Sequence, residues 1–289
     1  MSHTPASLRR KIDSAGDLQS VVRTMKALAA SSIRQYEESV RALGEYFRAV
    51  ELGLGACFRA EETVSGGETE VTSVISAVVF GSDQGLVGPF NDVVADYSGG
   101  ILAGRTGGAR IWAVGERVHA RLGDAGLTPQ GLYSVPNSVR AITPLIGRIL
   151  VDHGQLQAPG RVSELHLFYN RPASGAVYAP VHQRLLPLDD AWRRTRSELP
   201  WPSRPLPEVM GGWDTLGALI REYLFVSLFR ACAESLASEN ACRLAAMERA
   251  DRNIDGMLEE LNGTFHHLRQ SSIDAELFDV IAGFKALTR

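Results

Sequence analysis

The prolines of this chain are confined to its middle. Apart from Pro5, all of them fall between Pro89 and Pro207. Residues 6 to about 60 and residues 208–289 therefore lack the residue that most strongly breaks helices. At about 1.5 Å of rise per residue, helices of this length would be on the order of 80 to 120 Å long, far longer than a compact domain is wide. We therefore predict two long terminal helices and a separate central domain.

Both helical stretches carry a coiled-coil pattern, with apolar side chains spaced by threes and fours, or about one every 3.5 residues. In the first stretch these are Leu8, Ile12, Ala15, Leu18, Val22, Met25, Ala29, Ile33, Tyr36, Val40, Leu43, Phe47, Val50 and Leu54. In the second they are Leu244, Met247, Ile254, Leu258, Leu261, Phe265, Leu268 and Ala275, interrupted by the polar Asp251 and Ser272. Two such stripes most simply bury each other, which predicts an antiparallel coiled coil within the chain.

Charge supports this pairing. The net charge is only -3, so no global basic field indicates nucleic-acid binding. Residues 1–34 carry a net charge of +4, whereas residues 208–289 carry -5. Opposite charge favours pairing of the two helices, although the basic N-terminal turns could equally face an acidic partner or simply solvent.

The chain has three cysteines, an odd number, and no secretory segment. Both features predict that the protein resides in a reducing cytoplasm. The first eleven residues contain no apolar core of a signal peptide. We also find no run of about 18 apolar residues that could cross a membrane. Membrane contact is therefore expected only through partners.

The middle of the chain alternates between strand and helix patterns. Strands are predicted at residues 71–80, 109–114 and 162–169, the last forming a hairpin with 177–188. Helices are predicted to about residue 102 after the first strand, at 115–123 and at 139–151, the last partly broken by Pro144. This order indicates a Rossmann-like α/β domain with a largely parallel sheet.

The predicted domains follow from these patterns. An N-terminal coiled-coil helix covers residues 1–62, the α/β domain covers 70–190, and a C-terminal coiled-coil helix covers 208–289. Residues 191–207 are basic and proline-rich, which predicts an extended connector. The fold class is therefore α/β, with a long antiparallel two-helix coiled coil.

A glycine-rich segment follows the first strand and contains Gly81, Asp83, Gly85, Gly88 and Asn91. Glycines between a strand and a helix can hold a phosphate, which leaves a Rossmann-like nucleotide-binding enzyme as the alternative function. However, the spacing fits neither common phosphate-loop motif, and none of the three lysines lies nearby. We predict a structural turn in which Asp83 or Asn91 caps the following helix.

No other group of residues indicates catalysis or metal binding. His166 and His182 lie on predicted strands, without carboxylates at ligand spacing. His266 and His267 are neighbours on a helix, about 100° apart, so they cannot easily share a metal ion. We therefore expect no catalytic residues, no metal and no cofactor on this chain.

Three sets of motifs occur in a characteristic order. Residues 8–12 (LRRKI) and 22–31 (VRTMKALAAS) open the chain, residues 81–91 (GSDQGLVGPFN) follow the first strand, and residues 236–247 (LASENACRLAAM) and 269–277 (RQSSIDAEL) lie near the end. Together they resemble the gamma subunit family of F-type ATP synthases. The order of helix, α/β domain and helix is also that of the family, so the resemblance covers essentially the whole chain.

Several positions depart from the family pattern. Gln84 replaces the usual Arg, Pro89 a Gly and Asp274 a Thr. Residues 251–253 read Asp-Arg-Asn instead of Thr-Asp-Asn, and Ser32 with Ile33 replaces Lys-Met before Arg34. These departures suggest a divergent member, such as one from an alternative F-type ATPase.

The resemblance implies a non-catalytic rotor. Its coiled coil would insert into a hexamer of alternating alpha and beta subunits, which bind ATP, ADP and Mg. The α/β domain and the connector would contact the c-ring and the epsilon subunit. The expected location is the cytoplasmic face of a bacterial inner membrane, as a peripheral subunit.

The resemblance also implies partner-binding residues. Met25, Lys26, Arg269, Gln270 and Glu276 are expected to lie close together and to form a contact belt against the beta subunits. The other implied contacts are Arg34, Arg243, Asp274 and, in the apolar C-terminal tip at residues 278–287, Phe278, Ile281 and Phe284.

Overall fold

The computed structural model describes residues 4–61, 74–103, 109–155, 163–174, 176–203 and 209–287. In chain order the elements are α1 (Pro5–Glu61), β1 (Val74–Phe80), α2 (Phe90–Leu102), β2 (Ala109–Val114), α3 (Glu116–Asp124), β3 (Pro129–Tyr133), α4 (Val139–Gln155), β4 (Ser163–Ala173), β5 (Ala176–Leu186), α5 (Asp190–Ser197) and α6 (Gly212–Leu287). They form two compact units. The coiled-coil unit comprises Met1–Ala29 and Arg243–Arg289, and the sheet unit comprises Ala30–Cys242.

Both long helices predicted from the sequence are confirmed. α1 begins at Pro5, whose fixed φ suits the first helical position, and Thr4 Oγ1 accepts a hydrogen bond from the Ser7 amide at 3.3 Å. α6 begins at Gly212, four residues after the predicted start. Gly211 and Gly212 have φ of +87° and +47°, a backbone region that favours glycine, so the chain enters the helix through this pair.

The two helices of the coiled-coil unit bury a shared apolar seam. On α1, Leu8, Ala15, Val22 and Ala29 are buried at strict seven-residue spacing. Ala15 and Val22 belong to one cluster with Met247 and Ile254 of α6. Gln19 contacts Asp255 while Lys26 contacts the earlier residue Asp251, so the helices are antiparallel, as predicted.

One position of the predicted α1 stripe is wrong. Leu18 is 55% exposed, and the neighbouring Gln19 is buried in its place. Neighbours on a helix point about 100° apart, so only one of them can face α6. The hydrophobic spacing predicted Leu18 in the seam, but the structure places the polar Gln19 there.

The sheet unit contains a five-stranded sheet in the order β3-β2-β1-β4-β5. β1, β2, β3 and β4 run parallel, and β5 pairs antiparallel with β4. This confirms the largely parallel sheet and the hairpin. β3 was missed because its sequence, PQGLY, contains a proline and a glycine and no β-branched residue.

Two other expectations about the sheet unit are corrected. Pro144 does not break α4: the helix continues through it from Val139 to Gln155, and at the sixth helical position the proline removes one backbone bond, to the Arg140 carbonyl. The connector predicted as extended from 191 to 207 begins inside a helix, α5, whose start is capped by the Asp189 side chain accepting from the Trp192 amide at 2.8 Å. The two compact units divide within α1, after Ala29, and within α6, before Arg243. The predicted domain bounds at the helix ends stay a prediction.

The sheet separates two apolar clusters, because successive strand residues point to opposite faces. On one face, Val78 and Phe80 of β1 belong to a cluster with α4, the second half of α1 and the first part of α6. On the other, Ile75, Ala77 and Val79 pack with α2 and α3. The sheet with helices on both faces is the Rossmann-like layer arrangement expected from the sequence.

His153 of α4 is buried in the sheet unit. It is 6% exposed, and neither ring nitrogen has a hydrogen-bond partner among the described residues. Burial lowers the pKa of His153 because the imidazolium would lose its hydration. In the unfolded chain a histidine titrates near pH 6.5, so below about this pH the unfolded state binds a proton that the folded state does not.

We therefore predict that acid destabilises the wild type through His153, with a slope of at most about 1.4 kcal/mol per pH unit as the pH falls below about 6.5. His153→Leu should flatten this part of the stability profile, whereas His267→Leu, at an exposed position of α6, should leave it unchanged. Urea unfolding between pH 5 and pH 8 measures the slope. Identical slopes in His153→Leu and the wild type would contradict the assignment.

Candidate functional site

A polar layer interrupts the apolar seam of the coiled-coil unit. Gln19 and Lys26 occupy seam positions on α1, and Asp251 faces them from α6. The Asp251 carboxylate accepts from Gln19 Nε2 at 3.3 Å, from Arg23 Nε at 3.2 Å and from Lys26 Nζ at 3.4 Å. Asp255 adds a second carboxylate, which accepts from Gln19 and lies 3.7 Å from Arg23 Nη2. We call these five residues the polar layer.

The electrostatics of the polar layer favour an ionised Asp251. Partial desolvation acts to raise its pKa, but the hydrogen bonds and charges of Arg23 and Lys26 prevail and hold the pKa of Asp251 below its ordinary value. The Asp251 side chain is 14% exposed, whereas those of Arg23 and Lys26 are 60% and 39% exposed. The cations therefore reach the surface while their counter-ion stays in the seam.

The predicted contact belt is not a single cluster. Met25 packs on the apolar seam and Lys26 bonds Asp251. Arg269 lies 18 residues beyond Asp251 on α6, or about 27 Å along the helix at 1.5 Å per residue. The expectation that all five belt residues lie close together is therefore wrong: the antiparallel register places Met25 and Lys26 at one level, and Arg269, Gln270 and Glu276 at another.

The remaining predicted contact residues differ in exposure. In α6, residues 269–282 are all exposed, including Arg269, Gln270, Asp274, Glu276, Phe278 and Ile281. The Phe284 side chain lies outside the described residues. In the sheet unit Arg34 is exposed on α1, and in the coiled-coil unit Arg243 is half-buried. Their roles in partner binding stay predictions.

The glycine-rich loop between β1 and α2 is held by its own polar groups. Asn91 Oδ1 accepts from the Ser82 amide at 2.9 Å, and Asn91 Nδ2 donates to Ser82 Oγ at 2.8 Å. Ser82 Oγ in turn donates to the Gln84 carbonyl at 2.9 Å. Asn170 Nδ2 donates to the Phe90 carbonyl at 2.9 Å. These bonds support the prediction of a structural turn.

Two glycines of this region are required by close packing. A Cβ on Gly81 would overlap the Val118 side chain of α3. Gly115 has a φ of +120°, and a Cβ there would lie 2.7 Å from the Ser82 carbonyl oxygen. A Cβ on Gly85, in contrast, would meet only Arg117 Nη2, at 4.0 Å. Close packing therefore accounts for Gly81 without a phosphate ligand.

The predicted cap on α2 is wrong. α2 has no side-chain cap; Asn91 folds back onto Ser82, and Asp83 caps another helix. Asp83 Oδ1 accepts from the Glu116 amide at the start of α3 at 3.0 Å, and Oδ2 accepts from the Val135 amide at 2.9 Å. One carboxylate thus joins the loop after β1 to the segments that follow β2 and β3.

We predict that Asp83→Ala destabilises the sheet unit by roughly 0.5 to 2 kcal/mol through the lost cap, with a further contribution from the Val135 amide. Asp96→Ala, at an exposed position of α2, should change stability by less than about 0.5 kcal/mol. Chemical denaturation measures both variants. Equal stabilities of the two variants would show that Asp83 does not tie these segments together.

Sequence reasoning missed a carboxylate and histidine cluster on the sheet. Glu164 Oε2 lies 2.8 Å from His166 Nε2, and His166 Nδ1 lies 2.8 Å from His182 Nε2. A carboxylate therefore does accompany these histidines, although the three side chains are not arranged so that they could share a metal ion. The signal was present, because residues two apart on a strand point to the same face.

Sequence reasoning also missed a buried cluster of charged residues around Glu234 of α6. Glu234 is 6% exposed and accepts from Arg171 Nε at 2.6 Å and from Arg230 Nε at 2.8 Å. Arg171 also donates to the Tyr169 hydroxyl. Burial first, and then the Glu234 charge, raises the pKa of Tyr169 to about 12. This cluster fixes α6 against β4.

Within the described ranges, no His, Cys, Asp and Glu side chains are grouped so that three could hold a metal ion. Over the same ranges, no helix is long and apolar enough to span a bilayer.

Comparison with known proteins identifies the family. A sequence model of the ATP synthase family matches residues 4–287. The ATP synthase gamma chain of Clavibacter sepedonicus is 30% identical over 292 residues, covering 96% of each chain, and that of Moorella thermoacetica is 25% identical over 97% of this chain and 98% of its own.

Solved structures share the fold. The rotor of the Euglena gracilis mitochondrial ATP synthase aligns with a TM-score of 0.59 and 18% identity, covering 93% of this chain and 98% of its own. The central stalk and c-ring structure of the Tetrahymena thermophila mitochondrial enzyme contains a chain that aligns with a TM-score of 0.55 and 19% identity, covering 80% of this chain and 99% of its own. From its sequence matches, this chain belongs to the ATP synthase gamma-chain family.

Proposed function

We propose that this chain is the non-catalytic central-stalk rotor of a bacterial F-type ATP synthase, in which it couples ion-driven rotation of the c-ring to ATP synthesis and hydrolysis in the alpha/beta hexamer. Family membership supports this role and leaves the alternative of a Rossmann-like nucleotide enzyme without support. The structural observation that carries the proposal is the end of α6. There, Leu277, Phe278, Val280 and Ile281 are exposed by 57%, 69%, 70% and 43%, respectively.

Such a row of apolar side chains marks a surface that a partner covers. We assign this tip, continuing to Phe284 and Leu287, to the apolar collar of the hexamer. An off-axis coiled coil presents a different face to each beta subunit, so turning it favours a different conformation and nucleotide affinity at each site. ATP, ADP and Mg bind to the alpha and beta subunits, and this chain needs no cofactor.

We assign the sheet unit and the connector at 191–207 to the epsilon subunit and the c-ring. Met210 and Trp213, just after the connector, are 82% and 73% exposed, which supports a partner at this surface. Contact with the membrane is then indirect, and the subunit lies at the cytoplasmic face of the inner membrane.

The exposed tip generates a prediction for hydrogen exchange. In the free subunit, amides from about Leu277 onward should exchange fast, because a helix end without packing frays. Adding alpha and beta subunits should slow them strongly, while amides near Met247 and Ile254, buried in the seam, should be protected in both states. Mass spectrometry measures both regions. Equal exchange at the tip in the free and assembled states would contradict its assignment to the hexamer.

A second prediction concerns Arg269 and Gln270. Both are exposed on α6, so replacing them with Ala should leave the free subunit folded and weaken its assembly or torque. The loss should amount to one or two charge-assisted hydrogen bonds, at roughly 1.5 to 3 kcal/mol each. Glu259→Ala/Glu260→Ala, also exposed on α6, is the matched control. ATP synthesis in membrane vesicles at the wild-type rate would refute the role of the pair.

A further inference from the structure

A groove runs between α1 and α6 in the coiled-coil unit, away from the C-terminal tip that the proposed function assigns to the hexamer. Its cavity volume is about 490 Å³, within the range of roughly 300 to 1,000 Å³ that small-molecule sites have. Five of its eight lining residues are apolar: Ala15 and Leu18 of α1, and Ile254, Met257 and Leu261 of α6. The groove therefore suits a molecule with a largely apolar body.

The groove exists because the seam is thin at this level. Ala15 fills a seam position with a single methyl group, and together with Ile254 it is buried, so these two residues form the floor. Leu18 and Met257 line the same groove but are more than half exposed, so they form its rim. The rim thus offers apolar surface that packing between α1 and α6 does not bury.

Two cations lie at one end of the groove. Arg10 and Lys11 belong to its lining, and both are exposed. Arg10 Nε lies 3.5 Å from the Ala6 carbonyl, and within the described ranges neither cation forms an ion pair. None of the eight lining residues is acidic, and the only other polar one is Ser14. The lining therefore carries two positive charges that no lining carboxylate balances.

The separation of charge and apolar surface limits what fits. Lys11 and Leu18 are seven residues apart, so the apolar lining extends about 10 Å from the cations at 1.5 Å of rise per residue. An extended chain of about eight to ten carbons spans this distance. A cationic amphiphile would bring like charges together, and a phosphate ion would leave the apolar lining in water. A carboxylate on an acyl chain avoids both costs, because guanidinium and ammonium groups form charge-assisted hydrogen bonds to carboxylate oxygens.

We propose that this groove is a binding site for a single-chain carboxylate amphiphile, of the class of medium-chain fatty acid anions. Arg10 and Lys11 hold the carboxylate, and the acyl chain lies on Ala15 and Ile254 against the Leu18 side chain. The site does not depend on the rotor role, because α1 and α6 of this chain form it alone.

NMR of the full chain with ¹³C-labelled methionine methyl groups tests the site with decanoate as the probe. The chain has five methionines. The Met257 methyl signal should shift and saturate, whereas that of Met210, exposed in the sheet unit, should not follow the same curve. Affinity should rise about fourfold per CH₂ from hexanoate to decanoate. Decyltrimethylammonium, which has the same chain and the opposite charge, should bind at least about fivefold more weakly than decanoate.

Two variants separate the charge from the apolar lining. Arg10→Gln/Lys11→Gln should weaken decanoate binding by about fivefold or more and remove the preference for the anion. Arg249→Gln/Arg252→Gln, which removes two exposed cations of α6 outside the groove, is the matched control and should keep the preference.

Leu18→Ala should weaken decanoate and decyltrimethylammonium alike by about fivefold, because both lose the same contact with the chain. Leu28→Ala, at another exposed position of α1 outside the groove, should leave both affinities unchanged. Equal binding of the two probes to the wild type, or a common midpoint for Met257 and Met210, would overturn the proposal. It would also fail if decanoate left Met257 unmoved while the signal shifted with protein concentration, because a second copy of this chain would then occupy the groove.

Discussion

The polar layer is the constraint that fixes how the two ends of this chain pair. Apolar seams of alanine, valine and isoleucine tolerate slippage, because one heptad resembles the next. Asp251 does not tolerate slippage, since its bonds to Gln19, Arg23 and Lys26 form together in one register only. A slip of one heptad would replace Gln19, Arg23 and Lys26 by Ile12, Gly16 and Gln19 in one direction or by Lys26, Ala30 and Ile33 in the other, so at least two of the three bonds would be lost. The layer therefore defines the alignment of α1 and α6 in the coiled-coil unit.

The sheet unit uses polar residues in the same way. Asp83 joins three segments by accepting from two backbone amides. Asn91 accepts from the Ser82 amide of its own loop. Glu234 of α6 accepts from Arg230 and from Arg171 of β4. A phosphate-binding loop needs free backbone amides directed at its ligand. In this loop the Ser82 amide and the Ser82 and Asn91 side chains are already bonded to one another. These bonds support the prediction that the glycine-rich sequence between this strand and helix is a structural turn.

The sequence predicted those features that depend on local periodicity. α1 and α6 follow from spacing that extends over many turns, and β1 and β2 follow from β-branched runs. β3 could not be predicted, because its pairing with β2 outweighs the poor strand propensity of Pro129 and Gly131. The cap by Asp83 was also out of reach, because it acts on a helix 33 residues away. The link between Glu164 and His166 was within reach, since alternation along a strand was sufficient to predict it.

The coiled-coil unit combines an ionic layer inside with apolar residues outside, which is the reverse of an isolated coiled coil in water. Leu18, Val21 and Leu28 of α1 are 55%, 55% and 63% exposed, in a row beside the seam that α6 does not cover. The end of α6 continues this apolar character at Leu277 and Phe278. Water would not favour either surface, and under the proposed rotor role both would be covered by the subunits that surround the coil. In that role the two features are connected: the polar layer sets the internal register by hydrogen bonds and ion pairs, and the exposed apolar rows offer contacts without fixed hydrogen-bond geometry, as a surface that must turn against its surroundings requires.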